Sequence, residues 1–117
     1  MQRDKASLLD AARSATLVME FVSGMDKVTL AEDVKTQAAL LYEIIIMGEA
    51  VKRLSTEFIN EHPEISWGEI RGMRNRLTHE YDKVDINIVW DTIQNDIPQF
   101  LAAIEPLLPI EEESEEE

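Results

Sequence analysis

The chain has 117 residues, of which 44% are hydrophobic and 30% are charged, and its formal net charge is −13. This length suits one domain with a single core, and the mixture of residues is typical of a soluble globular protein. Because the chain contains no cysteine, disulfides, thiolate metal sites and cysteine nucleophiles are excluded. The strong acidity argues against non-specific wrapping of nucleic acid, which requires clustered lysine and arginine.

The charge is unevenly distributed along the sequence. Six of the 24 acidic residues lie in the tail at 111–117, and four of the eleven basic residues fall within positions 71–83. The local potential at a cleft matters more for an anionic ligand than the total charge. No basic-then-apolar leader opens the chain, and the apolar runs at 38–42 and 44–47 are too short to span a bilayer. We therefore expect an unexported, cytoplasmic protein that does not enter a membrane.

Helical periodicity dominates the first half of the sequence. Apolar residues at helical spacing predict a first helix from about Lys5 to Val22, which Ser23-Gly24 should end. A second helix is predicted from Thr29 or Leu30 to about Phe58, with its most buried part at 38–51. Gly48 interrupts this apolar part, so we expect a neighbouring helix or chain to approach closely there. Glu49 follows it in an otherwise apolar neighbourhood. One interpretation of Glu49 is an exposed acid at the helix edge.

The second half of the sequence predicts one short helix and one long helix. Ser66 with Glu69 three positions later forms a potential capping box, so helix three should run from Trp67 to Leu77 or Thr78. A fourth helix should start after Asp85, and Pro98 should bend it without ending it.

Four helical segments predict an all-α domain, an antiparallel up-and-down four-helix bundle with a short third helix, over residues 1–110. The uneven bundle should leave an apolar flank that homodimerisation would cover. The acidic tail at 111–117 has almost nothing to bury and is expected to be disordered. It either solvates the end of the chain or docks on a basic face of a partner.

A compact group of functional residue types lies between positions 71 and 82. The sequence there reads Arg71-Gly-Met-Arg-Asn-Arg-Leu-Thr-His-Glu-Tyr-Asp82. Asn75 and His79 are four residues apart and share a helix face, whereas Arg74 and His79 diverge by about 140° on one helix. Arg74 and His79 can converge if the helix unwinds near Thr78, or if a second subunit contributes the partner group.

This group suits RNA cleavage without a metal, in which the 2′-hydroxyl attacks its own phosphate. His79 could move the proton, since an unperturbed imidazole has a pKa of about 6.5. Arg74 could hold the phosphate and stabilise its developing charge, and Asn75 could orient the reacting groups. Arg71 and Arg76 would contribute electrostatic binding of the substrate. Because the segment holds one histidine, a symmetric dimer that brings both copies of His79 to a shared cleft is favoured.

Each residue also has an ordinary structural interpretation. A helical histidine is usually packed or solvated, Arg76 could pair with Glu80 four positions on, and Tyr81 could pack in the bundle. No metal-binding pattern organises His79, Glu80 and Asp82, and no glycine-rich phosphate loop or serine elbow is present, so neither a metal nor another cofactor is expected.

The segment from Arg74 to Tyr81 resembles the signature of HEPN-domain proteins, an arginine and a polar residue followed by a histidine. The spacing arginine, four residues, histidine, one residue, tyrosine is closer to the HepT-like branch, the toxin half of HEPN/MNT toxin–antitoxin pairs. Four further segments agree with that branch: 47–50, 65–67, 72–75 and 89–90. The resemblance runs from the first helix to Leu108 and leaves out the tail.

The resemblance implies a dimeric helical bundle with metal-independent ribonuclease activity, in which Arg74, Asn75 and His79 match the catalytic positions. It also implies an MNT-type nucleotidyltransferase as antitoxin, which silences the toxin by transferring AMP from ATP to Tyr81. A bulky adenylate two residues from His79 would compete with the RNA phosphate. Two alternatives remain: a non-catalytic HEPN module that binds a nucleotide or the nucleotidyltransferase, and a purely structural helical dimer.

Overall fold

A computed structural model of the chain describes residues 2–78 and 83–109. Met1, the segment from His79 to Asp82 and residues 110–117 lie outside the described residues. The predictions made for His79 and Tyr81, for the acidic tail and for the domain boundary after residue 110 therefore concern parts of the chain that the structure does not describe.

The first helix, α1, spans Gln2–Phe21, so it begins three residues earlier than predicted and ends one residue earlier. Its apolar stripe is buried as expected and includes Leu8, Ala15 and Val18. Gly24 follows the helix with a φ of 81°, a left-handed conformation that glycine adopts without steric cost. The predicted stop at Ser23-Gly24 is confirmed.

The prediction of one helix from Thr29 or Leu30 to Phe58 is wrong. The structure has three helices there: α2 (Lys27–Ala31), α3 (Val34–Lys52) and α4 (Thr56–Glu61). The Asp33 carboxylate accepts a hydrogen bond from the backbone N–H of Thr36 at 2.9 Å, and the Ser55 hydroxyl accepts one from Phe58 at 3.1 Å. These side chains start new helices by capping them, so local capping overrides the continuous apolar periodicity.

The predicted third helix ends where expected but is broken in the middle. It consists of α5 (Trp67–Arg71) and α6 (Met73–Leu77), separated at Gly72. Ser66 occupies the N-cap position of α5, yet its side chain makes no capping hydrogen bond, so the predicted capping box with Glu69 does not form. Thr78 has φ −122° and ψ 154°, and this extended conformation ends α6.

The predicted fourth helix is continuous but contains a widened turn. It comprises α7 (Ile86–Asp91), a π-helical turn (Thr92–Asp96) and α8 (Ile97–Ile104). Asp85 caps α7 by accepting hydrogen bonds from the N–H groups of Asn87 and Ile88. Pro98 lies at the start of α8, directly after the π turn. Because proline lacks an N–H and clashes with the preceding turn, the wider turn accommodates it, and the helix continues as predicted.

The two long helices, α1 and α3, pack against each other in antiparallel orientation. The first turn of α1 meets the end of α3, since Asp4 accepts hydrogen bonds from Ser55 and Asp10 pairs with Arg53 at 3.0 Å. Helix α8 packs on α1, the α5–α6 pair packs on α3, and α7 contacts α2. The core is made of buried hydrophobic side chains, mostly aliphatic, from all of these helices except α4.

The predicted all-α fold is confirmed. In the described ranges the one non-helical element of regular structure is an isolated antiparallel bridge between Thr78 and Val84. No helix among the described residues is long and apolar enough to cross a membrane.

Candidate functional site

A small cleft lies between α3 and the α5–α6 pair. Its volume is about 120 Å³. Helix α3 contributes Ile44, Ile45, Gly48, Glu49 and Lys52, and the facing helices contribute Arg71, Arg74 and Asn75. Three of the five residues that the sequence predicts for catalysis or substrate binding in this helical segment therefore meet in one place.

Gly48 explains why the two walls of this cleft are so close. It is buried, and a Cβ built on it would lie 3.5 Å from the carbonyl oxygens of Ile70 and Arg71. The backbone of α5 thus packs directly against the backbone of α3. This observation confirms the expectation that a neighbouring helix approaches closely at Gly48, and it sets Arg71 and Arg74 beside α3.

The cleft is cationic although the whole chain is acidic. Among the described residues that line it, Lys52, Arg71 and Arg74 contribute three positive charges, and Glu49 contributes one carboxylate. Glu49 and Lys52 form an ion pair at 3.2 Å, with each side chain 55% exposed. Arg71 and Asn75 are exposed, and Arg74 is half-buried. An excess of positive charge in a concave site attracts an anion such as a phosphate.

The backbone changes direction at Thr78, the residue before His79. Thr78 is extended and bridges to Val84, and the backbone N–H of Asp85 donates to the carbonyl oxygen of Leu77 at 2.8 Å. The helix therefore ends at Leu77, two residues before His79, and an end near Thr78 is the condition for Arg74 and His79 to converge within one chain. His79 and Tyr81 themselves lie outside the described residues, so their positions in the site stay predictions.

Arg76 does not share the cleft with Arg71 and Arg74. It lies on another side of α6, where its Nη2 is 3.6 Å from Asp96 Oδ2. Its surroundings form a second cavity of about 250 Å³ whose lining also includes Glu64 and Glu69. Arg76 is therefore paired with Asp96 and lies apart from Arg71, the other residue predicted to bind the substrate.

Two charged residues of the cleft were not predicted as site residues from the sequence. Glu49 and Lys52 belong to α3, more than twenty positions before Arg74. One signal in the sequence pointed to Glu49, because the segment 47–50 is among those that resemble the HepT-like branch. That resemblance gave no chemical reason to place Glu49 beside the arginines. The packing of α5 and α6 on α3, closest at Gly48, brings the two segments together.

His62 has a structural environment. Its ring lies 4.6 Å from that of Phe58, and its carbonyl oxygen accepts a hydrogen bond from the Trp67 indole at 2.9 Å. Within residues 2–78 and 83–109, no group of three or more histidine, cysteine, aspartate or glutamate side chains could hold a metal ion.

The protein is thus a small all-α domain with an arginine-lined cleft beside a helix end. Comparison with known sequences identifies the family within this class. The family model described as “Ribonuclease HepT-like” matches residues 11–107. “Probable ribonuclease HepT” of Thermococcus cleftensis is 37% identical over 103 residues, covering 88% of this chain and 94% of its own.

“Putative RNase MJ0127” of Methanocaldococcus jannaschii is 32% identical over 104 residues, covering 89% of this chain and 86% of its own. “Putative RNase TTE0752” of Caldanaerobacter subterraneus subsp. tengcongensis is 32% identical over 108 residues, covering 92% and 96%. No solved structure matches the chain significantly. The chain belongs to the HepT-like ribonuclease family, as the motif and its flanking segments indicated.

Proposed function

We propose that this protein is a metal-independent endoribonuclease that cuts RNA by attack of the 2′-hydroxyl on the adjacent phosphate. The observation that carries the proposal is the cationic cleft in which Arg71, Arg74 and Asn75 face α3. Membership of a ribonuclease family, with relatives named as ribonucleases over most of their length, supports the same chemistry.

Each proposed residue has a distinct task in this reaction. Arg74 binds the scissile phosphate and stabilises the charge that develops on its oxygens, because a guanidinium is always charged and donates in a fixed fork. Asn75 orients the phosphate or the imidazole. His79 transfers a proton to or from the reacting oxygens. Arg71 attracts the RNA backbone, and Arg76 extends this attraction from the neighbouring side of α6.

Catalysis by a homodimer is part of the proposal. The cleft of one protomer, about 120 Å³, is smaller than the roughly 300 Å³ at which ligand pockets begin. Val34, Tyr42 and Ile45 on α3 are exposed large hydrophobic residues, and Ile45 also lines the cleft. Pairing of two copies along this face would join their clefts into a groove wide enough for a nucleotide.

We further propose that the protein is the toxin of a HEPN/MNT toxin–antitoxin pair. An MNT-type nucleotidyltransferase would silence it by transferring AMP from ATP to Tyr81, the tyrosine two positions after His79. The adenylate adds bulk and negative charge beside a site that must bind a phosphate. Mass spectrometry after incubation with such an enzyme and ATP would find AMP on Tyr81 and none on the Tyr81→Phe variant.

The test is RNA cleavage by the purified protein in EDTA. We expect the Arg74→Ala and His79→Ala variants to lose about 100-fold or more of kcat, since each removes a group that acts in the transition state. Arg13→Ala is the matched control, because the Arg13 side chain is 73% exposed on α1 and lies outside the cleft.

Cleavage that persists in both the Arg74 and His79 variants with unchanged folding would refute the site. If the wild-type protein binds RNA or a nucleotide but never cuts, the non-catalytic HEPN module is the better account.

A further inference from the structure

The cleft contains a carboxylate for which the proposed reaction has a use. Glu49 lines the same cleft as Arg71, Arg74 and Asn75, and its side chain is 55% exposed. Its one described ion-pair partner is Lys52, one turn further along α3, at 3.2 Å through Oε2. An exposed ion pair at this spacing adds little to the free energy of unfolding, so a contribution to stability does not explain a glutamate at this position.

Cleavage by 2′-hydroxyl attack needs two proton transfers. A base removes the proton of the 2′-hydroxyl, and an acid protonates the departing 5′-oxygen. The motif segment supplies one histidine for both tasks. A guanidinium keeps its protons in proteins, so Arg71 and Arg74 cannot serve as the base, and the Lys52 ammonium is ion-paired with a carboxylate. Among the described residues that line the cleft, Glu49 is the one whose ionised side chain is purely an acceptor.

We propose that Glu49 is the general base of the reaction, a role that rests on the ribonuclease function proposed above. Its carboxylate takes the proton from the 2′-hydroxyl while O2′ forms a bond to phosphorus. The bond from phosphorus to the 5′-oxygen breaks, and His79 in its protonated form gives its proton to that oxygen. The products are a 2′,3′-cyclic phosphate and a 5′-hydroxyl, and exchange of protons with water restores both side chains.

Three positively charged side chains lie around Glu49 in the cleft. Lys52 faces it from α3 itself, and Arg71 and Arg74 line the opposite wall on α5 and α6. The positive charges of Arg71 and Arg74 offset the repulsion between the Glu49 carboxylate and an RNA phosphate. The exposure of Glu49 lets it exchange the captured proton with water after each turnover.

The experiment compares Glu49→Gln, Glu49→Asp and Glu49→Ala with the wild-type protein in an RNA cleavage assay. We expect Glu49→Gln to lose about 100-fold or more of kcat with little change in KM, because the amide still packs in the cleft but cannot accept the proton. Glu49→Asp should recover part of this loss. Added formate should partly restore Glu49→Ala, since a small carboxylate can enter the vacated space, and the wild-type protein should not respond.

The pH–rate profile gives an independent reading. The wild-type protein should show a bell-shaped profile with one limb from the base and one from the acid, and Glu49→Gln should lose the low-pH limb. Glu57→Gln is the matched control, because Glu57 is an exposed glutamate in the first turn of α4 and lies outside the cleft. It should keep wild-type activity and the wild-type profile.

Two results would overturn the assignment while leaving the proposed ribonuclease intact. In the first, Glu49→Gln retains kcat within a few-fold of wild type while Arg74→Ala and His79→Ala are inactive. In the second, Glu49→Gln loses activity, yet formate fails to rescue Glu49→Ala and both limbs of the profile remain, so that Glu49 only positions Lys52 or the arginines. A wild-type protein that cuts no RNA would instead reject the proposed function and the base together.

Discussion

Asp4 connects the first turn of α1 to the junction of α3 and α4. It is 4% exposed, and its carboxylate accepts hydrogen bonds from the backbone N–H of Ser55 at 2.8 Å and from the Ser55 hydroxyl at 2.7 Å. Burial raises the pKa of Asp4, but these two hydrogen bonds, together with nearby positive charge that includes Arg3, outweigh it, so the pKa lies below the ordinary value of 3.8. The ionised form of Asp4 therefore stabilises the fold.

We predict that Asp4→Ala lowers the free energy of unfolding by about 2 kcal/mol, because it leaves the N–H of Ser55 without its charged acceptor. Asp10→Ala is the control on the same helix. Asp10 also reaches the end of α3, through Arg53, but that ion pair is exposed and should contribute less than about 1 kcal/mol. Urea denaturation measures both, and equal effects would contradict this view of Asp4.

The contribution of Asp4 should also depend on pH with a defined sign. Since the folded-state pKa lies below 3.8, the stabilisation is fully present above that value and disappears as the pH falls through the folded-state pKa. The stability difference between the wild-type protein and Asp4→Asn should accordingly be constant near neutral pH and shrink in acid. A difference that grew on acidification would have the wrong sign.

At the scale of helices, the contact between α3 and α5 at Gly48 determines whether the cleft exists. A methyl group on Gly48 would lie at ordinary contact distance, 3.5 Å from the carbonyl oxygens of Ile70 and Arg71, whereas a branched side chain needs more room. The contact therefore tolerates one carbon atom and little more.

We predict that Gly48→Ala folds with a free energy of unfolding equal to wild type or up to about 1 kcal/mol higher, because alanine is the better helix former. Gly48→Val should push α5 away from α3, lower stability by about 1–3 kcal/mol and reduce RNA cleavage. Thermal unfolding and the cleavage assay separate the two variants. Full activity in Gly48→Val would show that the close contact does not set the site.

Sequence periodicity predicted the outer limits of the helical segments better than their interruptions. The breaks at Asp33 and Ser55 depend on side-chain caps within a continuous apolar pattern, and both residues are ordinary N-cap types that could have been recognised. The break at Gly72 and the π turn that accommodates Pro98 leave the apolar spacing almost unchanged, so periodicity does not reveal them.

The site was predictable where it is local in sequence. Arg71, Arg74 and Asn75 share one helical segment, so spacing alone grouped them. Glu49 comes from a distant helix, and Arg76, though adjacent in sequence to Asn75, turns to Asp96. The packing of α5 on Gly48 brings Glu49 to the cleft, and the position of α6 beside the π turn brings Arg76 to Asp96. Neither contact between distant segments is evident from a single sequence.

At the scale of the whole molecule, an acidic protein presents a small cationic cleft beside an apolar face of α3. Val34, Tyr42 and Ile45 lie within about 80° of one another around the helix, at exposed fractions of 74%, 61% and 39%. Exposed apolar side chains along one face are typical of a surface that pairs with another protein.

We predict that the wild-type protein is a dimer in solution and that Tyr42→Lys shifts it towards monomer, because the new charges would face each other across a two-fold interface. Val28→Lys is the control, since Val28 is 67% exposed on α2, outside the α3 face. Light scattering after size-exclusion chromatography reads the mass. A monomeric wild-type protein, or equal loss of dimer in both variants, would reject this interface.

The most direct test of the account is the dependence of cleavage on the attacking hydroxyl. An RNA that the protein cuts is resynthesised with a single 2′-deoxy nucleotide at the cut position and incubated with the protein in EDTA. We predict that the unmodified RNA yields 2′,3′-cyclic phosphate and 5′-hydroxyl ends and that the deoxy RNA remains intact at that position. Cleavage of the deoxy RNA at the same bond, or cleavage only when a divalent metal is added, would contradict it.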